Sequence, residues 1–405
     1  ELEAAFTMKN FSFNIVLKFD WTLKRCHVEH TFIVGGDDLF SVIDGMEICI
    51  KHNGIPATGR IQSIDENTIL ENGNEIEDFK FFKHGGIFVV PEEIKENYPA
   101  AISGGTEEVS YEIMPVAPSI NEDSRQIKDQ LFFWHVDGSY KLHKNLMKRH
   151  RFWLIGNEND AEILAEQSDF NIPFELINIQ PVYGKTNIPV DNGEFSRFCD
   201  FSVNNWIRQQ KESRAFGMLN YGDWFGERGE NWGNNEYDTP FCMFSLYAAT
   251  NQVNILKQAY ASARHQLEVD TIHGNDEWDS WQIRHAMGHT GDYYPAEYVV
   301  GAYHNRGMPN LAHCWVAGML VYYQLSGDRI ALNTAEKLLN DMAEKLMTNK
   351  YFHNGREVGW HLIHLVAGAS VLRKEKYLES ASKLVKLTLD RQCANGSWCR
   401  VLDSD

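Results

Sequence analysis

Ala331–Met342 reads ALNTAEKLLNDM, and Tyr377–Thr388 reads YLESASKLVKLT. Both place apolar residues at i, i+3, i+4 and i+7, the spacing that puts them on one face of an α-helix. The same period runs through Pro240–Ala249, Val253–Val269, Pro295–His304, Leu311–Leu325, Arg329–Met347, Glu357–Leu372 and Lys376–Arg391. Short polar connections join these segments in pairs: Thr250-Asn251-Gln252, Ser326-Gly327-Asp328 and Arg373-Lys374-Glu375. Each connection links a fairly apolar helix to a more amphipathic one. Repeated hairpins of an inner apolar and an outer amphipathic helix predict an α/α toroid or solenoid after about residue 200. A closed toroid needs more hairpins than the periodicity yields. Either the irregular stretches hold further helices or the ring is incomplete in this chain, and the abrupt end after Gly396-Ser397-Trp398 favours the second expectation.

Upstream the period is different. Phe11–Phe19, His27–Val34, Glu47–Ile50, Ile87–Val90 and Phe152–Ile155 are short runs of β-branched and aromatic residues. Turn-forming clusters separate them, among them Gly35–Asp38, Asn53-Gly54 and Asn72-Gly73. Strands spaced in this way predict an antiparallel sandwich or open barrel. Glu92–Tyr98 reads as a short helix, Ser103–Ser124 as a surface excursion and Tyr183–Phe195 as a linker. The expected fold is therefore α+β and multidomain, with a β-sandwich over residues 1–190 and a catalytic α/α toroid over 191–405.

Composition narrows the functional classes. The 405 residues are 43% hydrophobic and 12% aromatic, a globular profile long enough for two or three cores at roughly 100–200 residues per domain. Thirty-eight basic against 56 acidic residues give a net charge of −18, and the pI is about 5.3. Such a surface repels phosphate backbones, and no dense basic patch offsets it, so a nucleic-acid partner is not expected. No apolar stretch approaches the roughly 18–20 residues of a membrane span. The seven Cys are odd in number and form no C-x-x-C, which argues against a zinc cluster or a disulfide framework. The chain opens at Glu1 with no basic, apolar leader, so the expectation is that any export signal has been removed already or never existed.

The chemistry concentrates at the start of the helical half. Tyr221–Asp238, YGDWFGERGENWGNNEYD, is polar, aromatic and rich in Gly, too irregular for a helix. Amide and guanidinium donors beside Trp and Tyr faces are what sugar recognition uses. The plainer alternative is a loop whose Asn and Asp bond their own backbone. Beyond it, Arg264, His265, Asp270, His273, Trp281, Arg284, His285, His289, Tyr293 and Tyr294 follow in quick succession. Six of the 16 His fall between residues 265 and 313. Such a cluster supplies groups that move protons near neutral pH.

The same residues bear on metal binding. His285 and His289 are four apart, but the H-A-M-G-H run lacks the Glu of H-E-x-x-H and contains a helix-weakening Gly288. His361 and His364 form a similar pair. No resident metal is assigned; Asp276 and Asp279, in the NDEWD loop, are the pair with the chemistry for calcium.

Two reactions fit the inventory. Glycoside hydrolysis would use two of Asp223, Glu236, Asp270 and Asp279. β-Elimination at a uronic acid needs donors to neutralise the sugar carboxylate, a base for the C5 proton and an acid for the leaving O4. The Asn, Arg, His and Tyr bias of residues 228–304 fits elimination better. A non-catalytic glycan-binding protein is the third reading, and an isomerase leaves the β half unexplained.

Gly222–Pro240 (GDWFGERGENWGNNEYDTP), the Val269-Asp270-Thr271 step, the His285/Gly288/His289 pattern and His313–Asp328 (HCWVAGMLVYYQLSGD) together resemble the exo-rhamnogalacturonan lyase family and its ulvan-type relatives. The resemblance extends to His30–Val34 and Asp44–Met46, which are similar to strands of that family's sandwich. It implies a β-sandwich before an α/α toroid, a secreted or periplasmic setting and a rhamnose- and uronate-containing polysaccharide as substrate. On this reading Arg228, Asn234 and Asn235 bind the uronate carboxylate, with Glu236 and Arg284 beside the substrate. His289 is the expected base, His285 the second choice, and Tyr293 or Tyr237 protonates the leaving oxygen. Trp232, Trp278 and Trp281 are the expected sugar platforms.

Overall fold

The computed structural model describes residues 1–38, 40–53, 58–63, 69–76, 79–115, 134–136, 139–166, 193–212, 217–223, 235–274, 279–282, 313–347, 355–399 and 402. In chain order the strands are β1 (Leu2–Met8), β2 (Phe11–Asp20), β3 (Arg25–Val34), β4 (Phe40–Ile43), β5 (Met46–Lys51), β6 (Gly59–Ser63), β7 (Ile69–Glu71), β8 (Asn74–Ile76), β9 (Phe82–His84), β10 (Ile87–Pro91), β11 (Ala101–Gly104), β12 (Glu108–Met114), β13 (Trp134–Val136), β14 (Ser139–His143) and β15 (Met147–Ile155). The helices are α1 (Glu158–Glu166), α2 (Gly193–Glu212), α3 (Thr239–Thr250), α4 (Val253–His265), a π-helix (Gln266–Asp270), α5 (Ala317–Ser326), α6 (Arg329–Met347), α7 (Gly355–Leu372) and α8 (Glu375–Leu389). The chain divides into two compact units. One holds Glu1–Phe170, Ile207–Trp232 and Ala286–Tyr303; the other holds Asn171–Trp206, Gly233–His285 and His304–Asp405.

In the first unit two six-stranded antiparallel sheets, ordered β1-β2-β3-β15-β10-β9 and β5-β12-β11-β6-β7-β8, face each other, with a smaller β13-β14-β4 sheet beside them. Alternation sets the facing: Cys26, Val28, His30, Phe32 and Val34 of β3 are all buried on one side. The rings of Tyr111 and Phe152, one from each sheet, stack with centroids 4.7 Å apart and close the core between them. Each such aromatic, taken fully from water, contributes roughly 1.5–3 kcal/mol before entropy is subtracted.

Two local expectations are corrected here. Ser103–Ser124 does not begin as a surface excursion, because Glu108–Met114 is an interior strand, buried after its first residue and paired on both sides. Glu92–Tyr98 forms consecutive turns, not a helix; Glu93, at φ 58°, leaves the helical region at the outset.

The second unit carries three helical hairpins, α3–α4, α5–α6 and α7–α8, in the segments whose period predicts them. All three turn in the same way. The first helix ends on a left-handed residue, Asn251 (φ 55°), Gly327 (φ 73°) or Arg373 (φ 53°). The amide of that residue donates back to Tyr247, Tyr323 or Ala369 at 2.7, 2.7 and 3.0 Å. This is the left-handed cap that ends a helix and satisfies its last carbonyls. The first members, α3, α5 and α7, pack against one another in sequence. Of the amphipathic second members, α6 packs on α8. Helix α2 begins at Gly193, so Gly193–Phe195, read as the end of a linker, is its first turn.

Candidate functional site

The chain enters α3 through an unusual turn. Asn235, Tyr237 and Asp238 all have positive φ, at 51°, 66° and 58°. Such conformations cost energy for residues other than Gly and persist when their surroundings hold them. Two anchors do so here. The Asn235 side chain donates through Nδ2 to the Ser262 carbonyl (3.2 Å) and accepts from Ser262 Oγ (2.5 Å), which ties the turn to α4. The Asp238 carboxylate accepts from the Gly318 amide at the start of α5, at 3.1 and 3.2 Å. Between these two anchors the chain presents Glu236 and Tyr237.

Tyr237 stands 56% exposed. Its ring lies 6.4 Å from Trp315 and 6.3 Å from Trp360, centroid to centroid, and the Arg356 guanidinium sits 5.4 Å over it. Arg356 and Trp360 are one turn apart on α7, so they share a face of that helix. Arg356 also donates through Nη2 to Glu236 Oε1 (2.5 Å), and His313 Nε2 stands 3.8 Å from the same oxygen. The group thus joins an exposed phenol, a half-buried indole, a guanidinium, a carboxylate and an imidazole.

A second layer fixes the rings. Gln282 brackets the Trp315 backbone, donating to its carbonyl (2.7 Å) and accepting from its amide (2.8 Å). Trp360 meets Trp315 edge to face at 4.7 Å and stacks on His364 at 5.8 Å. His364 Nε2 donates to the Cys314 carbonyl (2.6 Å), and burial lowers its pKa to about 4. His361, on the same helix, packs its ring on Trp281, and its pKa falls to about 3, through burial first and then the neighbouring His364. The two His of the HLIH run therefore serve separate neighbours.

The expected set divides into four. Arg228, Trp232, Asn234, Asp276, Trp278, Arg284, His285, His289 and Tyr293 lie outside the described residues. Glu236 and Tyr237 come together in the group just described. Asn235 and Trp281 are placed elsewhere: Asn235 is wholly buried on Ser262, and Trp281, 1% exposed, donates its indole N–H to Asp341. Neither presents a surface to a sugar. Asp279 accepts from the Gly274 amide at Oδ1 (3.2 Å) and from Lys337 at Oδ2 (2.8 Å), so both of its oxygens are engaged within the protein.

After α4 the backbone widens into the π-helix, all five of whose residues are buried. Two of its carbonyls are met by side chains, Thr271 Oγ1 on Gln266 (2.7 Å) and His273 Nε2 on Leu267 (2.7 Å). The wider turn brings His265 Nε2 within 3.4 Å of Asp270 Oδ1, both inside the protein. An imidazole and a carboxylate so placed are donors of the kind divalent ions use. π-Turns of this sort recur at functional sites.

No family model matches the chain. No curated protein matches it either. Among solved structures it is similar to a bacterial glucoamylase complexed with acarbose, at 10% identity and a TM-score of 0.27, with 95% of this chain and 55% of that one covered. It is also similar to a polysaccharide lyase, at 9% identity and a TM-score of 0.24, with 94% and 70% covered. The chain thus spans just over half the length of the glucoamylase.

Proposed function

We propose that the chain is a carbohydrate-active enzyme, and within that class a polysaccharide lyase. It cleaves a rhamnose- and uronate-containing polymer of the rhamnogalacturonan or ulvan type by β-elimination. The observation that carries the reading is Tyr237, held exposed on a left-handed turn beside Trp360 and under the Arg356 guanidinium, with Glu236 fixing that guanidinium in place. Aromatic faces of this kind receive the C–H surface of a sugar ring. A guanidinium beside them suits a carboxylate on that ring and lowers the cost of the carbanion that forms when C5 loses its proton.

The roles follow from this. Arg356 binds the uronate carboxylate, the role that the family resemblance implies for Arg228 and Asn234, while Asn235 orients the turn from behind. The Tyr237 phenol gives its proton to the leaving O4. His289, or else His285, removes the C5 proton, and Trp232 and Trp278 extend the sugar platform. Residues 191–405 form the catalytic α/α toroid and residues 1–190 the β-sandwich. The setting is secreted or periplasmic, and among the described residues no helix is long and apolar enough to cross a membrane.

One observation favours a second reading. Glu236 is a nearly buried carboxylate at the centre of the group, as one member of a hydrolytic pair would be. Incubation with a panel of uronate polysaccharides separates the two. Elimination leaves an unsaturated, ultraviolet-absorbing uronate at the new non-reducing end. Reducing sugar released without that chromophore would replace the lyase with the hydrolase, and binding without any product would leave only a glycan-binding protein.

A further inference from the structure

The last described turn carries chemistry that the carbohydrate reading does not use. After α8 the chain folds back tightly: the Gly396 amide donates to the Cys393 carbonyl (2.8 Å), and the Cys393 amide donates to the Ser397 carbonyl (2.8 Å). Gly396 takes φ 83°, which a residue with a Cβ rarely adopts, and Asn395 Oδ1 accepts from both the amide and the hydroxyl of Ser397. Trp398 then donates its indole N–H back to the Thr388 carbonyl (2.8 Å), which holds the returning strand against the last turn of α8. The outcome is that Cys393 and Cys399, six residues apart, hold their sulfurs 4.0 Å from each other.

We propose that Cys393 and Cys399 form a redox-active dithiol, a site of reversible disulfide formation by exchange with a small-molecule or protein disulfide. A disulfide needs its sulfurs about 2.05 Å apart, so closure asks for an approach of about 2 Å. Both thiols lie at the surface, Cys399 exposed and Cys393 partly so. The other five differ: Cys26, Cys199 and Cys314 are buried, while Cys49 contacts Ser110 and Cys242 contacts the Tyr237 carbonyl. The shared S–H···S contact holds Cys399 above the usual thiol pKa, through Cys393 first, so the attacking thiolate forms more readily as pH rises.

The chemistry is ordinary thiol–disulfide exchange. One sulfur, as its thiolate, attacks a sulfur of the external disulfide R–S–S–R and expels RS⁻, giving a mixed disulfide. The second protein sulfur, after losing its proton, attacks the first and expels the other RS⁻. Two protons and two electrons leave the protein, and one R–S–S–R becomes two R–SH. In an oxidising compartment the closed form would dominate.

The test uses the whole folded chain with oxidised glutathione as the probe, followed by alkylation of remaining thiols and peptide mapping. The expected result is loss of two of the seven free thiols, a mass lower by two hydrogens and a single cross-linked peptide joining Cys393 to Cys399. Cys393→Ser and Cys399→Ser should each instead keep one glutathione on the remaining cysteine, because the resolving thiol is gone. Seven unchanged thiols, a stable glutathione adduct on the unsubstituted protein, or a cross-link to any other cysteine would overturn the proposal. None of these outcomes depends on whether the protein cleaves a polysaccharide.

Discussion

The Asp238 carboxylate accepts the Gly318 amide on both its oxygens, at 3.1 and 3.2 Å, and so ties the entry of α3 to the first turn of α5. The contact is close enough that Gly318 has no room for a side chain. A Cβ there would stand 2.5 Å from Asp238 Oδ1, 2.7 Å from the Pro240 Cβ and 2.8 Å from the Phe241 amide nitrogen. Gly318→Ala should therefore cost about 1–3 kcal/mol, because backbone must move to admit the methyl. A urea midpoint equal to that of the parent would show that the two helices part at no cost.

The same carboxylate makes a pH prediction with a definite sign. Burial raises the Asp238 pKa from 3.8 to about 7, against the opposing pull of the amides of Gly318, Phe241 and Ala317. The folded state therefore keeps a proton that the unfolded state releases, and this group's contribution to stability is lost as pH rises from about 4 to 7. Asp238→Asn mimics the protonated form. Its stability relative to the parent should improve steadily from pH 4.5 to 7.5, and a constant difference across that range would contradict the assignment.

His361 works in the opposite direction. Its pKa is lowered to about 3, and neither ring nitrogen has a hydrogen-bond partner among the described residues. The unfolded chain takes up this proton near 6.5 while the folded chain refuses it, so stability falls as pH drops from about 6.5 toward 3. His364, His30 and His143, each lowered to about 4 by burial, add to the trend. Replacing His361 with Leu should leave stability at pH 7.5 within about 1 kcal/mol, since no hydrogen bond among the described residues is lost. It should also make the loss between pH 6.5 and 5 shallower. Parallel pH profiles for the two proteins would refute the claim that His361 stays neutral inside the fold.

Gln282 carries a structural load of a different kind. Its amide satisfies both the N–H and the C=O of Trp315, a residue with no exposed surface. Gln282→Leu keeps the volume but leaves two buried backbone groups without those partners, at about 1–3 kcal/mol each. Because Trp315 supports the Tyr237 and Trp360 rings, ligand affinity at the group should fall along with stability. A change in neither quantity would mean that other groups replace the clamp.

Much of the architecture is readable in the sequence, for physical reasons. The hairpins announce themselves because each connection is short and polar and each second helix is amphipathic, as at Arg329–Met347 and Glu375–Leu389. Strands with one wet face, such as Phe11–Asp20, show their alternation. Glu108–Met114 alternates as well, Val109, Tyr111 and Ile113 against Glu108, Ser110 and Glu112, so its strand is legible in the sequence too; what the sequence hides is that Ser110 and Glu112 are also buried. The candidate site is only half legible. Glu236 and Tyr237 lie in a conspicuous Gly-rich run, but their partners Arg356 and Trp360 sit some 120 positions later, on a helix that reads as ordinary core. The surviving signal is an Arg and a Trp four apart at the head of an apolar helix. Asn235 and Trp281 show the converse problem. A polar or aromatic residue looks the same in sequence whether it faces a sugar or a neighbouring helix, and only burial distinguishes the two.

The group around Tyr237 gives the test closest to function. If the phenol protonates the leaving oxygen, Tyr237→Phe removes the proton and keeps the ring. kcat on a uronate polymer should then fall about 10²–10⁴-fold while KM stays near its parental value. Tyr237→Ala removes the platform as well, so KM should rise. Arg356→Ala acts on charge: it withdraws the cation beside the sugar carboxylate and leaves Glu236 without that partner. Binding of acidic polymers should weaken more than binding of neutral ones, and added salt should narrow the gap. Arg356→Lys should recover part of the affinity but not all, since an ammonium cannot reproduce the planar fork. Equal losses on acidic and neutral glycans would place Arg356 in the scaffold, and an unimpaired Tyr237→Phe protein would pass the proton-donor role to Tyr293.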